Sequence, residues 1–372
     1  MLKGFYLTLL VGPSVPLPAP QPVVDALSSA QVTTSAGQAS GFQLSFAVSK
    51  RSVLNRVLLP AGYLDPKVRV ILMVTMNGLP TVLMDGVITR QELAPSNEPG
   101  QSKLTITGED LTVMMDLEHN RACYPAMPAN ARVALICSKY ALYGIVPAPV
   151  PPLLVDIPNP VKSIPVQSST DLEYLKKLAW DVGYVFYIDP GPAPGVNVAY
   201  WGPEIRIGIP QPALSVNMDA DTNVESLSFS FDGQAKTQFT VTVTEPITKL
   251  PIPVPIPDVG ILRPPLAARP APALRKAPLP TAKQNPVKAA LLGLAQTAQA
   301  SDAISGSGQL DVLRYGHILK ARRLVGVRGA GITYDGHYYV KSVTHNIKRG
   351  EYRQSFTLAR DGLLPLIPKV MP

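Results

Sequence analysis

The sequence predicts a mainly β fold with a smaller α+β part, and three patterns support that prediction. Apolar and polar residues alternate through Phe42–Phe46 and again through Leu227–Phe231, as in strands that bury one face. The nearly continuous apolar run Val68–Val74 is typical of a strand covered on both faces. Asn77-Gly78, shortly after it, is a two-residue hairpin signal. Many short strands separated by turns indicate barrels or sandwiches.

Residues 1–108 form the first predicted β-barrel. The apolar residues of Phe5–Val11 fall at alternate positions, and Pro13 follows at once, which favours a first strand over a signal peptide. Val82–Thr89 is the expected return strand of the hairpin, and Leu104–Thr107 closes the set.

Residues 109–215 change character and predict a mixed domain of helices and strands. Glu109–His119 and Ala129–Tyr143 carry apolar residues at roughly helical spacing. A third predicted helix, 170–182, is followed by the aromatic strand Tyr184–Ile188.

The helix at 170–182 has the clearest sequence signals. Thr170 and Glu173 form a capping box, in which the hydroxyl and the carboxylate satisfy backbone donors that have no helical partner. Gly183 is placed to end the helix. The predicted buried stripe consists of Leu172, Leu175, Leu178, Ala179 and Val182.

The second predicted β-barrel is split between residues 216–245 and 310–364. Leu227–Phe231 and Gln238–Thr244 are expected to pair across the tight turn between them. The stretch between the two parts, 246–309, is a proline-rich basic arm plus a short helix inserted into this barrel.

The arm has an unusual composition. Twelve of the 40 prolines lie between Pro246 and Pro286, and Leu250–Pro257 has proline at every second position. Each proline fixes φ and removes an N–H donor, so 246–285 is predicted to be extended, without regular hydrogen bonds, reaching towards a neighbouring chain. Asn285 precedes a predicted helix that runs to about residue 300. Residues 365–372 are a C-terminal tail.

The net charge of +8 is concentrated in the arm. Between residues 246 and 288 there are seven basic residues and one acidic residue, or +6, which leaves +2 for the remainder. A folded nucleic-acid domain usually spreads positive charge over one face, often beside aromatic residues. This arm contains no aromatic residue, which disfavours specific nucleic-acid binding.

Short stretches of similar sequence, called echoes below, recur in the two β regions and indicate an internal duplication. They pair Gly86–Arg90 with Ser342–His345, Leu104–Thr107 with Phe356–Ala359, Glu109–Leu111 with Asp361–Leu363, and Phe42–Phe46 with Leu227–Phe231. Each echo alone is weak because alternation makes strands look alike, but their shared order favours duplication.

No metal or cofactor site is predicted. His119 and Cys123 are four residues apart and would fit a metal pair on a helix, but no further ligand is close in sequence. Cys123 and Cys137 are expected to be buried and unreactive. His337 and His345 on one strand would lie roughly 27 Å apart, too far to share a metal.

No catalytic residue is predicted either. Gly326, Gly329 and Gly331 lack the strand–turn–helix order of a dinucleotide site and indicate turns. Two carboxylate pairs, Asp116 with Glu118 and Asp171 with Glu173, are expected on solvated helix faces or caps rather than in a hydrolase site.

The most specific stretch of the sequence lies near the C-terminus. It combines Gly336–His345 with Gly350–Gly362, which ends in Arg-Asp-Gly. Together with the helix and aromatic strand of 170–188, this pattern resembles the hub proteins of contractile tails, which include the late control D proteins of phages and the baseplate hubs of phage-tail-like injection systems.

The resemblance implies a structural hub and not an enzyme. It implies two barrels of the tail-tube type with a mixed domain between them, and a homotrimer that arranges six barrels in a ring. One side of the ring would meet the tail tube protein and the other a trimeric spike, with baseplate wedge proteins around it. Because the sequence stops at Pro372, we expect the spike to be a separate protein.

The expected location is the bacterial cytoplasm during assembly, and then the tail or injection particle. No direct membrane insertion is expected, because no run approaches the eighteen or so apolar residues needed to span a bilayer. Two alternatives remain open at this point: a baseplate enzyme that degrades peptidoglycan, and a nucleic-acid binder that uses the basic arm. The kind of particle is also open.

Overall fold

A computed structural model of the chain describes residues 4–13, 15–98, 101–152, 155, 157–161, 164–244, 251–256, 263–279, 281 and 286–367. It is mainly β with a smaller helical part, which confirms the predicted fold class. The strands are β1 (Phe5–Gly12), β2 (Leu17–Pro18), β3 (Leu27–Ser35), β4 (Gly41–Ala47), β5 (Arg69–Met76), β6 (Leu79–Ala94), β7 (Lys103–Asp110), β8 (His119–Cys123), β9 (Ile145–Pro149), β10 (Val166–Thr170), β11 (Val185–Pro190), β12 (Asn197–Gly202), β13 (Gln211–Ser215), β14 (Ser226–Phe231), β15 (Thr237–Thr244), β16 (Pro251–Pro255), β17 (Ala267–Pro270), β18 (Arg275–Leu279), β19 (Ile304–Asp311), β20 (Leu324–Arg328), β21 (Gly336–Lys348), β22 (Glu351–Arg360) and β23 (Gly362–Pro365).

The helices are fewer and shorter. The α-helices are α1 (Gln21–Ala26), α2 (Ala129–Ser138), α3 (Asp171–Val182), α4 (Pro286–Gln299) and α5 (Val312–Tyr315). Single turns of other helix types occur at Leu54–Leu58, Leu111–Met115, Ala141–Tyr143 and Asp219–Asp221.

One large sheet organises the molecule. Its 13 strands run in the order β14-β19-β22-β21-β3-β4-β7-β6-β5-β1-β2, with β20 beside β21 and β13 beside β20. We call β1–β7 the first half and β13, β14 and β19–β23 the second half. The two halves repeat one topology: β3-β4-β7-β6-β5 in the first matches β14-β19-β22-β21-β20 in the second. All neighbours within both sets are antiparallel.

Two local irregularities recur at equivalent places. The long strands β6 and β21 each carry one extra residue against their hairpin partners, at Thr89 and at Lys341. Each long strand is also approached by a basic residue with positive φ, Lys67 at 72° and Arg322 at 63°. Lys67 donates its N–H to Ile88 O and Arg322 donates to Val340 O, both at 2.8 Å. The repeat therefore extends to backbone detail.

The structure corrects the sequence echoes. Aligning the two bulges makes Thr107 equivalent to Thr357, because these residues face Arg90 and Ser342 just after each bulge. The echo had matched Thr107 with Ala359, two residues away on the same strand. The echo of β4 with β14 is wrong, because the sheet order makes β14 equivalent to β3.

The two β halves meet in one continuous sheet. Residues 342–348 of β21 pair antiparallel with residues 29–35 of β3, so the halves form one continuous sheet. No closed ring of strands occurs among the residues that the structure describes. One apolar cluster spans both halves and includes Val32 and Phe42 from the first half and Val343 and Phe356 from the second.

Residues 111–202 form a middle module with its own apolar cluster around Leu175 and Trp201. The capping box on α3 is confirmed: Thr170 Oγ1 accepts from Glu173 N at 3.2 Å, and Gly183 ends the helix with φ 72°. The predicted helix 109–119 is wrong. β7 runs to Asp110, only one 3₁₀ turn follows, and β8 begins at His119 because its backbone pairs with β10.

The prediction for the proline-rich arm is wrong where the structure describes it. β16 pairs antiparallel and β18 pairs parallel with β15, and α4 packs on this small sheet. A separate apolar cluster here contains Val241, Ile256, Leu279, Ala289 and Leu292. The expected pairing of β14 with β15 is also wrong, because β14 pairs with β19. Residues 246–250, 257–262, 280 and 282–285 of the arm and 368–372 of the tail lie outside the described residues.

The alternating prolines of β16 fit a strand at the edge of a sheet. Ile256 donates its N–H to Phe239 O of the neighbouring chain segment at 3.1 Å. Residues of the same parity, Ile252 and Val254, direct their N–H groups towards β15, so Pro253 and Pro255 have their missing donors on the outer edge. The proline pattern therefore selects an edge strand and also prevents further pairing there.

The Arg-Asp-Gly sequence anchors another part of the arm. Asp361 Oδ1 accepts from Leu266 N at 2.8 Å and from Ala267 N at 3.1 Å, at the start of β17. A Cβ on Gly362 would lie 2.2 Å from Arg269 O, so only glycine allows β17 to approach β23. Arg360 is buried and donates to Asp335 O and Gly362 O. Across the described ranges, no helix is long and apolar enough to cross a membrane.

Candidate functional site

The candidate functional site is the junction where β3 of the first half meets β21 of the second. Seven residue pairs join the strands, from Ser35 opposite Ser342 to Ser29 opposite Lys348. The Thr33 and Thr344 hydroxyls lie 3.1 Å apart on one face. The junction is thus an ordinary antiparallel ladder with matched side chains, formed between residues more than three hundred positions apart in sequence.

Arg322 connects all three parts of the molecule at this junction. Its guanidinium donates to Ser35 O of the first half at 2.8 Å and to Asp189 Oδ1 of the middle module at 2.6 Å. It also lies over the Tyr187 ring, 4.0 Å from the centroid. Burial, followed by the nearby Asp189, raises the pKa of the Tyr187 phenol. A planar cation with five donors suits such a three-way contact.

A buried ionic cluster lies where the middle module leads into the second half. Arg206 bonds Glu204 at 3.0 Å and approaches Asp302 at 2.7 Å, and Arg263 of the arm contacts both carboxylates. Lys341, at the bulge of β21, lies 3.1 Å from Asp302. Burial would raise the pKa of Asp302, but Arg206, Lys341 and Arg263 outweigh burial and lower the pKa to about 2. The cluster holds the base of the arm against the second half.

A second buried ion pair attaches the middle module to the first half. Arg69 donates to both oxygens of Asp85, at 2.7 and 2.6 Å, and to Tyr143 O at 2.8 Å. Asn197 donates to Asp85 Oδ2 at 2.8 Å. The bidentate geometry and the added amide satisfy charges that would otherwise be costly to bury.

His345 belongs to a buried polar network. Its Nδ1 is 2.7 Å from Tyr352 Oη and 3.2 Å from Gln354 Nε2, and Gln354 also bonds both backbone groups of Leu319. Burial, with a smaller effect of Lys320, lowers the pKa of His345 to about 3. The imidazole is therefore neutral at ordinary pH, as a structural group in the core requires.

The remaining candidates from the sequence serve local structure. His119 and Cys123 lie on β8, where four residues span about 13 Å, so the helical metal pair does not form. No group of three or more metal-ligating side chains occurs in the described part of the chain. Burial raises the pKa of the Cys137 thiol to about 12, which makes it unreactive as predicted, whereas Cys123 is exposed, contrary to prediction.

The carboxylate pairs also have structural partners. Asp116 accepts from the Thr170 hydroxyl at 2.6 Å, next to the start of α3. Asp171 and Glu173 lie in the first turn of α3, and Glu173 belongs to the cap as expected. Asp171 is fully buried, and it accepts from Gln167 Nε2 at 2.6 Å and from the Tyr140 hydroxyl at 3.0 Å. Gly329 and Gly331 have φ values of 83° and 94°, which confirms their role in turns.

Sequence reasoning missed the residues that build the junction. Arg322, Arg206 and Asp302 lie far apart in sequence, and no spacing rule connects them.

A cleft of 650 Å³ beside the junction is lined by the β3–β4 turn, by aromatic residues of the middle module, and by Arg263, Arg322 and Lys341.

No protein-family model and no curated protein matches the chain. Among solved structures, the tail protein from Neisseria meningitidis MC58 is similar, with a TM-score of 0.65 and 14% identity over 97% of this chain and 98% of that chain. The 43 kDa tail protein of prophage MuSo2 from Shewanella oneidensis aligns with a TM-score of 0.61 and 14% identity, over 95% of this chain and 98% of that chain.

A secretion-system protein has the same fold. The E. coli c3393 protein, described as a component of the type VI secretion system with structural similarity to T4 bacteriophage tail proteins gp27 and gp5, aligns with a TM-score of 0.53 and 11% identity, over 92% of this chain and 77% of that chain. The chain therefore has the fold of phage tail proteins and of this secretion-system component.

Proposed function

We propose that this chain is the structural hub of a contractile tail or injection-system baseplate. In this role it joins a hexameric tail tube to a separate trimeric spike. The observation that carries the proposal is the repeated half: one chain builds the same five-strand topology twice, within a fold shared with phage tail proteins along almost its whole length.

The repeat would reconcile the sixfold symmetry of the tube with the threefold symmetry of the spike. A hexameric tube offers six equivalent docking edges, whereas a trimeric spike offers three. Three copies of a chain with two similar halves present six quasi-equivalent units on one side and remain threefold on the other. We therefore propose a homotrimer in which the first and second halves alternate around a central channel.

The buried charges support a structural role. Arg69 bonds Asp85 of the first half and Tyr143 O of the middle module, and Arg322 bonds Ser35 O and Asp189. Arg263 ties the arm to the buried ionic cluster around Arg206. Such groups fix the relative positions of domains, which an adaptor between two protein assemblies needs. The proposed partners are the tail tube, the spike and the surrounding wedge proteins, and the proposed location is the assembled particle after assembly in the bacterial cytoplasm.

Deletion of the gene in the cell that produces the particle tests this function. A hub is required for assembly, so the deletion should abolish complete particles in electron micrographs, and the wild-type chain supplied in trans should restore them. If complete particles form without the chain and fail only to clear peptidoglycan, the baseplate-enzyme alternative replaces the hub.

A further inference from the structure

Among the unpaired strand edges of the described chain, two lie at positions equivalent to the two edges of the junction. β14 pairs on one side only, with β19, whereas its equivalent β3 pairs on both sides. Beyond Ile88, β6 pairs only with β7, whereas its equivalent stretch of β21 pairs with β22 and with β3. Unpaired edges of this kind are templates for strand addition.

The equivalence can be followed residue by residue across the sheet. In the first half, one row of facing residues runs Arg90, Thr107, Gln43 and Gln31. In the second half, the matching row runs Ser342, Thr357, Ser307 and Ser228. β14 therefore takes the place of β3 with Ser228 at the position of Gln31, and β6 takes the place of β21 with Arg90 at the position of Ser342.

We propose that β14 of one copy pairs antiparallel with residues 90–94 of β6 in a second copy, reproducing between chains the junction that β3 and β21 form within one chain. The inference rests on the homotrimer proposed above and adds its strand pairing and register. Transferring the observed register of β3 and β21 places Arg90 opposite Asp232, Glu92 opposite Ser230, and Ala94 opposite Ser228.

The charges at this contact are complementary. Arg322 bonds Ser35 O inside the chain, and the equivalents of these two residues are Lys67 and Asp232. Lys67 and Asp232 are both exposed, so a second copy would bring Lys67 and Arg90 to the same carboxylate. Opposite charges that face each other across strands favour one register over its neighbours.

The two open strand edges also indicate that the partner is a second copy of this chain. Each copy offers one β14 edge and one β6 edge, so copies join head to tail and close into a ring. A foreign strand would pair with one edge and leave the other edge open. Further copies of the chain pair with both edges, in the register already present within the fold.

Disulfide trapping tests the pairing and its register. Two variants that each add one cysteine, Glu92→Cys and Ser230→Cys, are made in a Cys123→Ser background, in which the only native cysteine left is the buried Cys137. One of them carries a size tag, and the two are mixed before mild oxidation. These positions are equivalent to Thr344 and Thr33, whose hydroxyls lie 3.1 Å apart. We expect a covalent dimer of one tagged and one untagged chain on a non-reducing gel.

Two controls make the result specific. A Thr33→Cys/Thr344→Cys double variant should form its disulfide within one chain and stay at monomer size. Glu92→Cys mixed with Ser228→Cys is displaced by two residues, where diagonal neighbours lie about 7–8 Å apart, so its yield should be lower by on the order of tenfold.

Equal yields from the 230 and 228 mixtures, or no mixed dimer from either, overturn the pairing. The outcome is separable from the proposed function. A chain that restores particles to the deletion strain but gives no 92–230 product rejects this contact and leaves the hub intact. A chain that fails to restore them, although folded, rejects the hub itself.

Discussion

The two β halves share their strand order but differ at their edges. In the first half, β3 and β4 are joined by residues 36–40, and the outer edge of β3 is covered by β21 of the same chain. In the second half, the equivalent connection between β14 and β19 contains the small sheet and α4, and the outer edge of β14 is open in the described chain. The duplicated unit therefore keeps the pairing of its central strands, while its edge strands and loops have diverged.

The strand that completes each unit differs as well. β1 joins β5 antiparallel, whereas β13 joins β20 parallel. β13 enters directly from the middle module after residue 202, so the chain arrives from the opposite end of the sheet. The position in the sheet is conserved between halves although the direction is not, because apolar side chains on either strand can cover the same core.

The largest expected effect concerns how each half is tied to the middle module. The tie to the first half, Arg69–Asp85, is buried, so Asp85→Ala should cost about 3–5 kcal/mol in unfolding free energy by leaving a buried guanidinium without its carboxylate. The tie to the second half uses Asp189, whose side chain is 45% exposed, and without it the buried Arg322 would still donate to Ser35 O, so Asp189→Ala should cost only about 1–2 kcal/mol. Urea unfolding measures both free energies. Equal losses would contradict the claim that the two halves are tied to the middle module with different strength.

Arg322 should show the next largest effect. Arg322→Ala removes charged hydrogen bonds to Ser35 and Asp189 and should lower the unfolding free energy by roughly 2–3 kcal/mol. Arg322→Lys keeps the charge but loses the planar fork, so it should recover only part of the loss. Full recovery by lysine in the same urea titration would show that charge alone holds the junction.

Acid should destabilise the second half by protonating Asp302. Its pKa is lowered from 3.8 to about 2, so the folded state is stabilised above pH 3.8 and loses that stabilisation as pH falls towards 2. The expected loss is on the order of 2 kcal/mol. Asp302→Asn should be less stable at neutral pH and should lack this part of the acid slope. An unchanged slope in the variant would mean that the carboxylate is not ionised in the cluster.

The smallest expected effect is at Lys67, the counterpart of Arg322. Lys67 is exposed, so Lys67→Ala should change the unfolding free energy of the isolated chain by no more than about 0.5 kcal/mol. The same variant should weaken association between copies, measured by sedimentation at low salt. A loss of stability as large as that of Arg322→Ala would contradict the assignment of Lys67 to an open edge.

Local signals predicted parts of the fold well. The capping box at Thr170, the stop at Gly183 and the turn at Asn77-Gly78, with φ values of 53° and 80°, depend on a few adjacent residues and are confirmed. The helix predicted at 109–119 failed because its apolar spacing also fits a short turn followed by a strand, and pairing of β8 with β10 decided between them.

Long-range features were beyond local reasoning. Proline at every second position predicted an extended arm without regular hydrogen bonds. The same spacing, however, leaves the intervening N–H groups available to pair with β15. Gly306 and Gly308 were placed in the inserted stretch 246–309, but they lie in β19, where they make room for the Phe229 and Phe356 rings. The duplication was detected, although its register needed the two bulges, which leave no mark in the sequence.

We propose that two similar halves on one chain let three copies present six units. A reconstruction of the baseplate in the assembled particle, calculated without imposed symmetry, tests this most directly. We predict three copies of the chain, with first and second halves alternating around the channel beneath a hexameric tube. Six copies in a true sixfold ring, each using the same half towards the tube, would contradict it.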